Sequence, residues 1–201
     1  MQRAKIRLSA KEMALVLDPA WILTKRSVMG KTAVLLGSLA DGYRVHTLAA
    51  WGLPDHLKGR FPKISRGENY QGLPYMILDY PAIFDKTDVF AIRTLFWWGH
   101  YFSLTLHLKG EYLGLYLPKV IRGLQKPSPT TWYVSVSENE WVHAVQKEDY
   151  VNARDISGKE WIGIAERPFI KVVSILSLEQ WDDLHSLLET LFLEILGWLG
   201  H

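Results

Sequence analysis

Hydrophobic and polar positions divide this chain into helical ends and a β-rich middle. Ser9 and Glu12 have capping-box spacing, which predicts a short helix from Ser9. It stops near Asp18, because the residue before Pro19 resists helical geometry. Pro19 suits the first turn of a second helix running to about Leu39, with Trp21, Val28, Leu35 and Leu39 on one stripe. Asp41-Gly42 ends it, and 45–51 reads as a strand or an irregular link. At the other end of the chain, Ser177 and Gln180 form a second capping box. A terminal helix over 178–199 follows, with Trp181, Leu184, Leu188, Leu191, Ile195 and Trp198 at helical spacing.

Between these helices lies the organising stretch, 62–108. The run 89–108 is rich in β-branched, aromatic and long aliphatic residues around Gly99, which predicts a β-hairpin. A two-residue turn at Gly99-His100 sets Trp98 opposite Tyr101, Phe96 opposite Ser103, Thr94 opposite Thr105 and Ile92 opposite His107. One face then carries Ala91, Arg93, Leu95 and Trp97 with Phe102, Leu104, Leu106 and Leu108, and reads as the core face. The other carries Ile92, Thr94, Phe96 and Trp98 with Tyr101, Ser103, Thr105 and His107, an aromatic and hydroxyl surface suited to a pocket wall. A one-residue slip exchanges these partners.

Further strands are expected at 75–80, at 130–137 with a return at 141–145, and at 169–176, an apolar run broken by Lys171 and Ser174. Residues 56–69 carry Lys58, Arg60, Lys63 and Arg66 among Gly59, Pro62 and Gly67, and read as a cationic loop. Pro118 starts a helix ending near Lys126, and 148–159 is polar and loop-like. Strands grouped in the middle, rather than alternating with helices, predict a single α+β domain over 1–201. A mainly antiparallel sheet is covered on one side by N- and C-terminal helices. Pro127-Ser128-Pro129 marks the best internal boundary, near 127–129.

Composition narrows the function classes. With 48% hydrophobic and 22% charged residues, the 201-residue chain builds a packed core. A net charge of +2 with interspersed signs argues against a nucleic-acid partner. No run approaches the ~18 apolar residues of a membrane span, so no membrane partner is expected. The charged N-terminus lacks a signal-peptide core, and there is no cysteine, which removes disulfides and thiolate metal sites and fits a cytoplasmic setting. The nine tryptophans belong in a core, a pocket or an interface.

Local motifs in the chain carry little chemistry. Gly30-Lys31-Thr32 resembles the end of a phosphate-binding loop, but position 25 is Lys and the segment reads as mid-helix. The seven histidines, His46, His56, His100, His107, His143, His185 and His201, show no metal-ligand spacing, so no metal or cofactor is expected. Serine-nucleophile and kinase motifs are absent.

Arg93 is the sharpest residue. A buried guanidinium requires an anionic partner, and Asp79 in the 75–80 strand is the nearest in sequence. The pair is either a structural register lock or part of a clamp for a carboxylate or phosphate. The leading expectation is a cytosolic protein binding a small anionic or aromatic ligand in a sheet-lined pocket built from Arg66, Tyr75, Asp79, Arg93, Trp97, Trp98 and His107. Two alternatives stand beside it. One is a homo-oligomeric scaffold, such as a homodimer, using the Trp-rich surface and the 178–199 helix. The other is an enzyme with His107 as general base, paired with Glu111 or Asp79.

Overall fold

Alternation along the central strands gives the sheet two chemically different faces. The computed structural model describes residues 6–200; the charged start, Met1 to Lys5, and His201 lie outside the described residues. Seven strands form one antiparallel sheet: β1 (Lys63–Tyr70), β2 (Leu73–Phe84), β3 (Val89–Trp97), β4 (Tyr101–Lys109), β5 (Tyr133–Ser135), β6 (Tyr150–Asn152) and β7 (Phe169–Ser177). Their spatial order is β1-β2-β3-β4-β7-β5-β6. The protein is the single α+β domain that the sequence predicts.

Helices cover one face only. They are α1 (Ala10–Leu17), α2 (Pro19–Ala49), α3 (Asp55–Lys58), α4 (Glu111–Leu124), α5 (Gly158–Ala165) and α6 (Leu184–Gly200). Beneath them Met76, Leu78, Ile92, Phe96, Phe102, Leu104, Leu106, Ile170 and Val172 interlock with Leu36, Tyr43, Val120, Leu188 and Phe192 in one core. Residues on both sides of 127–129, such as Leu124 and Trp132, belong to that core. Tyr43 stacks on Phe192 at 3.8 Å, and Trp132 meets Trp198 edge-on at 4.8 Å. The apolar surface of α6 is therefore consumed inside the fold. Of its large apolar side chains, only Leu193 is exposed. Among the described residues, no helix is long and apolar enough to cross a membrane.

Several expected boundaries move, each for a tertiary reason. The second helix does not stop at Asp41-Gly42 but continues to Ala49, because Tyr43 and Thr47 are buried and Gly42 sits against Glu189 of α6. The fourth helix begins at Glu111, not at Pro118. The Asp88 carboxylate accepts its first N–H at 2.7 Å, and Pro118 sits inside the helix on its exposed side. Residues 63–70 are an edge strand and 55–58 a helical turn, not a loop. The polar 148–159 region contributes β6, a 3₁₀ turn and the start of α5. Only 133–135 of the expected 130–137 strand is paired, and 141–145 is irregular.

The central hairpin carries the consequential correction. Its connection is three residues, Trp98, Gly99 and His100, with Gly99 at φ +75. The pairs are Trp97 with Tyr101, Leu95 with Ser103, Arg93 with Thr105 and Ala91 with His107. Left-handed geometry at Gly99 closes a three-residue loop, and His100 stacks on Trp97 at 3.6 Å. The slip of one residue regroups the faces. Ile92, Thr94 and Phe96 join Phe102, Leu104 and Leu106 in the helix-covered core. Arg93 shares the opposite face with Ser103, Thr105 and His107.

Glycine positions give a paired test. A Cβ at Gly30, exposed on α2, meets nothing within 4 Å, whereas one at Gly123 overlaps the buried Trp198 ring. In urea denaturation Gly30→Ala is expected to stabilise by about 0.5–1 kcal/mol, and Gly123→Ala to destabilise by about 1–3 kcal/mol.

Candidate functional site

The face of the sheet without helices carries a connected set of charges. Asp79 and Arg93 are direct neighbours across β2 and β3. Arg93 Nε donates to Asp79 Oδ1 at 2.6 Å and Nη2 to Oδ2 at 2.9 Å, a bidentate pair that is largely buried. The guanidinium also lies over the Phe84 ring at 5.4 Å. Its third nitrogen, Nη1, donates to His143 Nε2 at 2.9 Å. His143 Nδ1 lies 3.0 Å from Lys171 Nζ, and Lys171 donates to the backbone carbonyls of Glu140, at 3.2 Å, and Val142. Beside this chain, Glu140 places Oε1 2.7 Å from Lys109 Nζ and Oε2 3.2 Å from His107 Nε2.

His143, Glu140 and Val142 belong to residues 136–149, a strap without helix or strand that lies across this face. With no ladder of its own, its backbone is satisfied by side chains. The Tyr70 hydroxyl accepts from the His143 and Ala144 amides at 3.0 and 2.8 Å. The Tyr101 hydroxyl accepts from the Val145 amide at 2.8 Å, and the Tyr150 hydroxyl donates to Val142 O at 3.0 Å. Arg167 donates to the carbonyls of Val136 and Ser137. Ala144 then plugs a small second core of Ile77, Leu95 and Trp97.

Burial sets the ionisation of these groups. The His143 imidazole is pushed down to about 2 by burial and by the neighbouring charges of Lys171 and Arg93. His107 falls to about 4, mainly through burial and Lys171, against the opposing pull of Glu140. Lys171 falls to about 7 because it is buried beside Arg93. The Tyr101 phenol is pushed up to about 12 by burial.

The predicted site residues fall in three places. Asp79, Arg93 and His107 meet beneath the strap, with the Arg93–Asp79 pair acting as a cross-strand tie. Tyr75 and Trp97 are register neighbours at the end of the same face. Trp97 Nε1 donates to Tyr70 O at 3.2 Å, and Tyr75 packs against Tyr70. Trp98 leans instead on the helix-side core against Phe96, and Arg66 projects from β1 on that same side, so neither joins Arg93. The partner of His107 is Glu140, neither Glu111 nor Asp79. His107 is buried.

Sequence reasoning missed His143, Glu140 and Lys109. Lys171 was visible as the one charge in an apolar run. A charge in a buried strand needs partners, and that was the available signal. Among the described residues, no group of three or more His, Asp or Glu side chains is arranged to hold a metal ion.

An open concavity lies on the helix side. The first half of α2 and the β1 edge enclose a groove of about 650 Å³. Ile22, Met29, Ala33 and Met76 supply apolar walls; Lys25, Arg26, Arg66 and Glu68 supply charge. Lys25 and Glu68 form an ion pair across it.

Two outcomes follow from the strap-side charges. Arg93→Met strands a buried carboxylate and is expected to cost about 3–5 kcal/mol. Adding Asp79→Leu should restore most of that loss, a coupling read from a double-mutant cycle in urea. For the imidazoles, the unfolded chain binds protons below ~6.5 that the folded chain refuses until about 4 at His107 and about 2 at His143. Stability should therefore fall with falling pH from 6.5 to 4, by about 1.4 kcal/mol per unit for each imidazole. His143→Gln should flatten that slope in pH-dependent unfolding. Comparison with protein-family models, with curated proteins and with solved structures finds no match to this chain.

Proposed function

We propose that this protein binds a small amphipathic anion, a carboxylate or phosphate on an apolar or aromatic body, in the groove between α2 and β1. One observation supports the reading. A cavity of about 650 Å³ combines apolar walls with Lys25, Arg26 and Arg66 against a single carboxylate, Glu68. The Lys25–Glu68 pair is internally balanced, which leaves the exposed guanidinium groups of Arg26 and Arg66 as the anion-facing charges. Guanidinium groups suit carboxylate and phosphate because their N–H groups match two acceptor oxygens at once.

Exposed ion pairs contribute only about 0–1 kcal/mol each, so affinity must come largely from the apolar body. Burying about 100 Å² of it against Ile22, Met29 and Met76 contributes ~2.5 kcal/mol. The reading keeps the cytosolic setting expected from the cysteine-free sequence. Of the site residues predicted from sequence, Arg66 carries the binding role. Arg93, anchored on Asp79, holds the strap through His143, and His107 lies against the strap's Glu140.

Thermal-shift and calorimetric titrations with octanoate and phenyl phosphate, beside neutral octanol and benzyl alcohol, test this. The anions are expected to raise Tm with concentration and the neutral probes to do so less. Arg26→Ala/Arg66→Ala should weaken anion binding at least tenfold. Gly30→Trp should abolish it, since that position opens into the groove without a steric neighbour within 4 Å. Equal affinity in wild type and both variants, or no preference for the anions, would overturn the proposal.

A further inference from the structure

The hydrogen bonds around His143 fix the protonation state of Lys171. Arg93 holds Asp79 with Nε and Nη2, so its Nη1–H must point at His143 Nε2, 2.9 Å away. A guanidinium only donates, which makes Nε2 the acceptor and puts the imidazole proton on Nδ1. That Nδ1–H faces Lys171 Nζ at 3.0 Å. It can be accepted only if Lys171 carries a lone pair. As a neutral amine, Lys171 has two N–H groups for the carbonyls of Glu140 and Val142 and one lone pair for His143. Every donor and acceptor of the Lys171 amine and the His143 ring is then used.

A protonated Lys171 breaks this arrangement. Its third N–H needs the His143 Nδ1 lone pair, which moves the imidazole proton to Nε2, against the Arg93 N–H. A charged Lys171 and an intact Arg93–His143 bond exclude each other.

We propose that these residues form a proton-operated latch, in which Lys171 is an uncharged amine in the folded protein and its protonation releases His143 from Arg93 and loosens the 136–149 strap.

The groups facing Lys171 come from each element packed on it. They are His107 and Lys109 from β4, Arg93 from β3, Asp79 behind Arg93 on β2, and Glu140 and His143 from the strap. Asp79 is committed to Arg93 through both oxygens, and Glu140 lies between Lys109 and His107. Neither carboxylate is within hydrogen-bonding reach of the amine, so Lys171 has no counter-ion of its own. Burial and the Arg93 charge bring its ionisation down to about 7, in keeping with the bonding pattern.

Linkage gives the sign. Between about 7 and ~10.4 the unfolded chain binds a proton at Lys171 that the folded chain does not, so stability rises with pH across that window. From pH 7 to 9, below the tyrosine range, the unfolding equilibrium constant should fall roughly tenfold per unit. Lys171→Met should remove this slope.

Two further measurements hold if that variant folds poorly. In the wild type, the Lys171 ¹³Cε resonance should titrate with a midpoint near neutrality, well below the ~10.4 of an ordinary lysine. Exchange protection of the His143, Ala144 and Val145 amides, corrected for intrinsic rates, should drop at least tenfold from pH 8 to pH 6. A Lys171 midpoint above 9, or a wild-type unfolding constant flat from pH 7 to 9, would overturn the uncharged amine. Unchanged strap protection across a Lys171 midpoint near 7 would overturn the latch.

Discussion

A guanidinium that cannot leave its carboxylate is the constraint on which the far side of this sheet depends. Arg93 is anchored to Asp79 through two parallel hydrogen bonds in a largely dry setting. Such a pair adds little net stability over a hydrophobic equivalent, yet removing one partner is costly. Its value is directional. With two nitrogens fixed, the third can point only one way, and His143 is what it finds. The strap is thereby located on the sheet by a chain of bonds that begins between two adjacent strands.

That chain replaces the packing this face lacks. Helices α2, α4 and α6 bury the other face with large apolar side chains, whereas the strap contributes Ala144 and little else to a dry interior. Tyrosine hydroxyls and the Lys171 amine act as surrogate strand partners for its amides and carbonyls. One side of the sheet is held by shape and the other by hydrogen-bond stoichiometry.

Much of the helix-side architecture was legible because it follows periodicity. The capping boxes at Ser9 and Ser177 and the apolar stripe of α6 from Leu184 onward stand where the pattern puts them, although 178–183 is a 3₁₀ segment, and the β3–β4 hairpin spans the expected residues with its register slipped by one. The pairing of Arg93 with Asp79 was legible from the cost of a buried charge alone. What failed was nonlocal. The start of α4 is set by Asp88, 23 residues before Glu111. The strap runs through 141–145, expected as a return strand, but it has no ladder of its own, so nothing local pointed to His143 and Glu140 as partners of buried charges. The hairpin register turned on whether Trp98 belonged to the strand or to the loop, a choice decided by left-handed geometry at Gly99. The groove joins Lys25 and Arg26 of α2 to Arg66, some forty positions away, and only the folded chain brings them together.

The β1 strand closes one rim of that groove and also ends the sheet. An outermost strand offers unpaired amides and carbonyls to any extended peptide that drifts past. Here Lys63, Arg66 and Glu68 stud that border, and its register breaks between Gly67 and Tyr70. Charge and irregularity together make it a poor template for intermolecular β-stacking. The charged side chains of this rim thus guard the molecule against fibrous self-association.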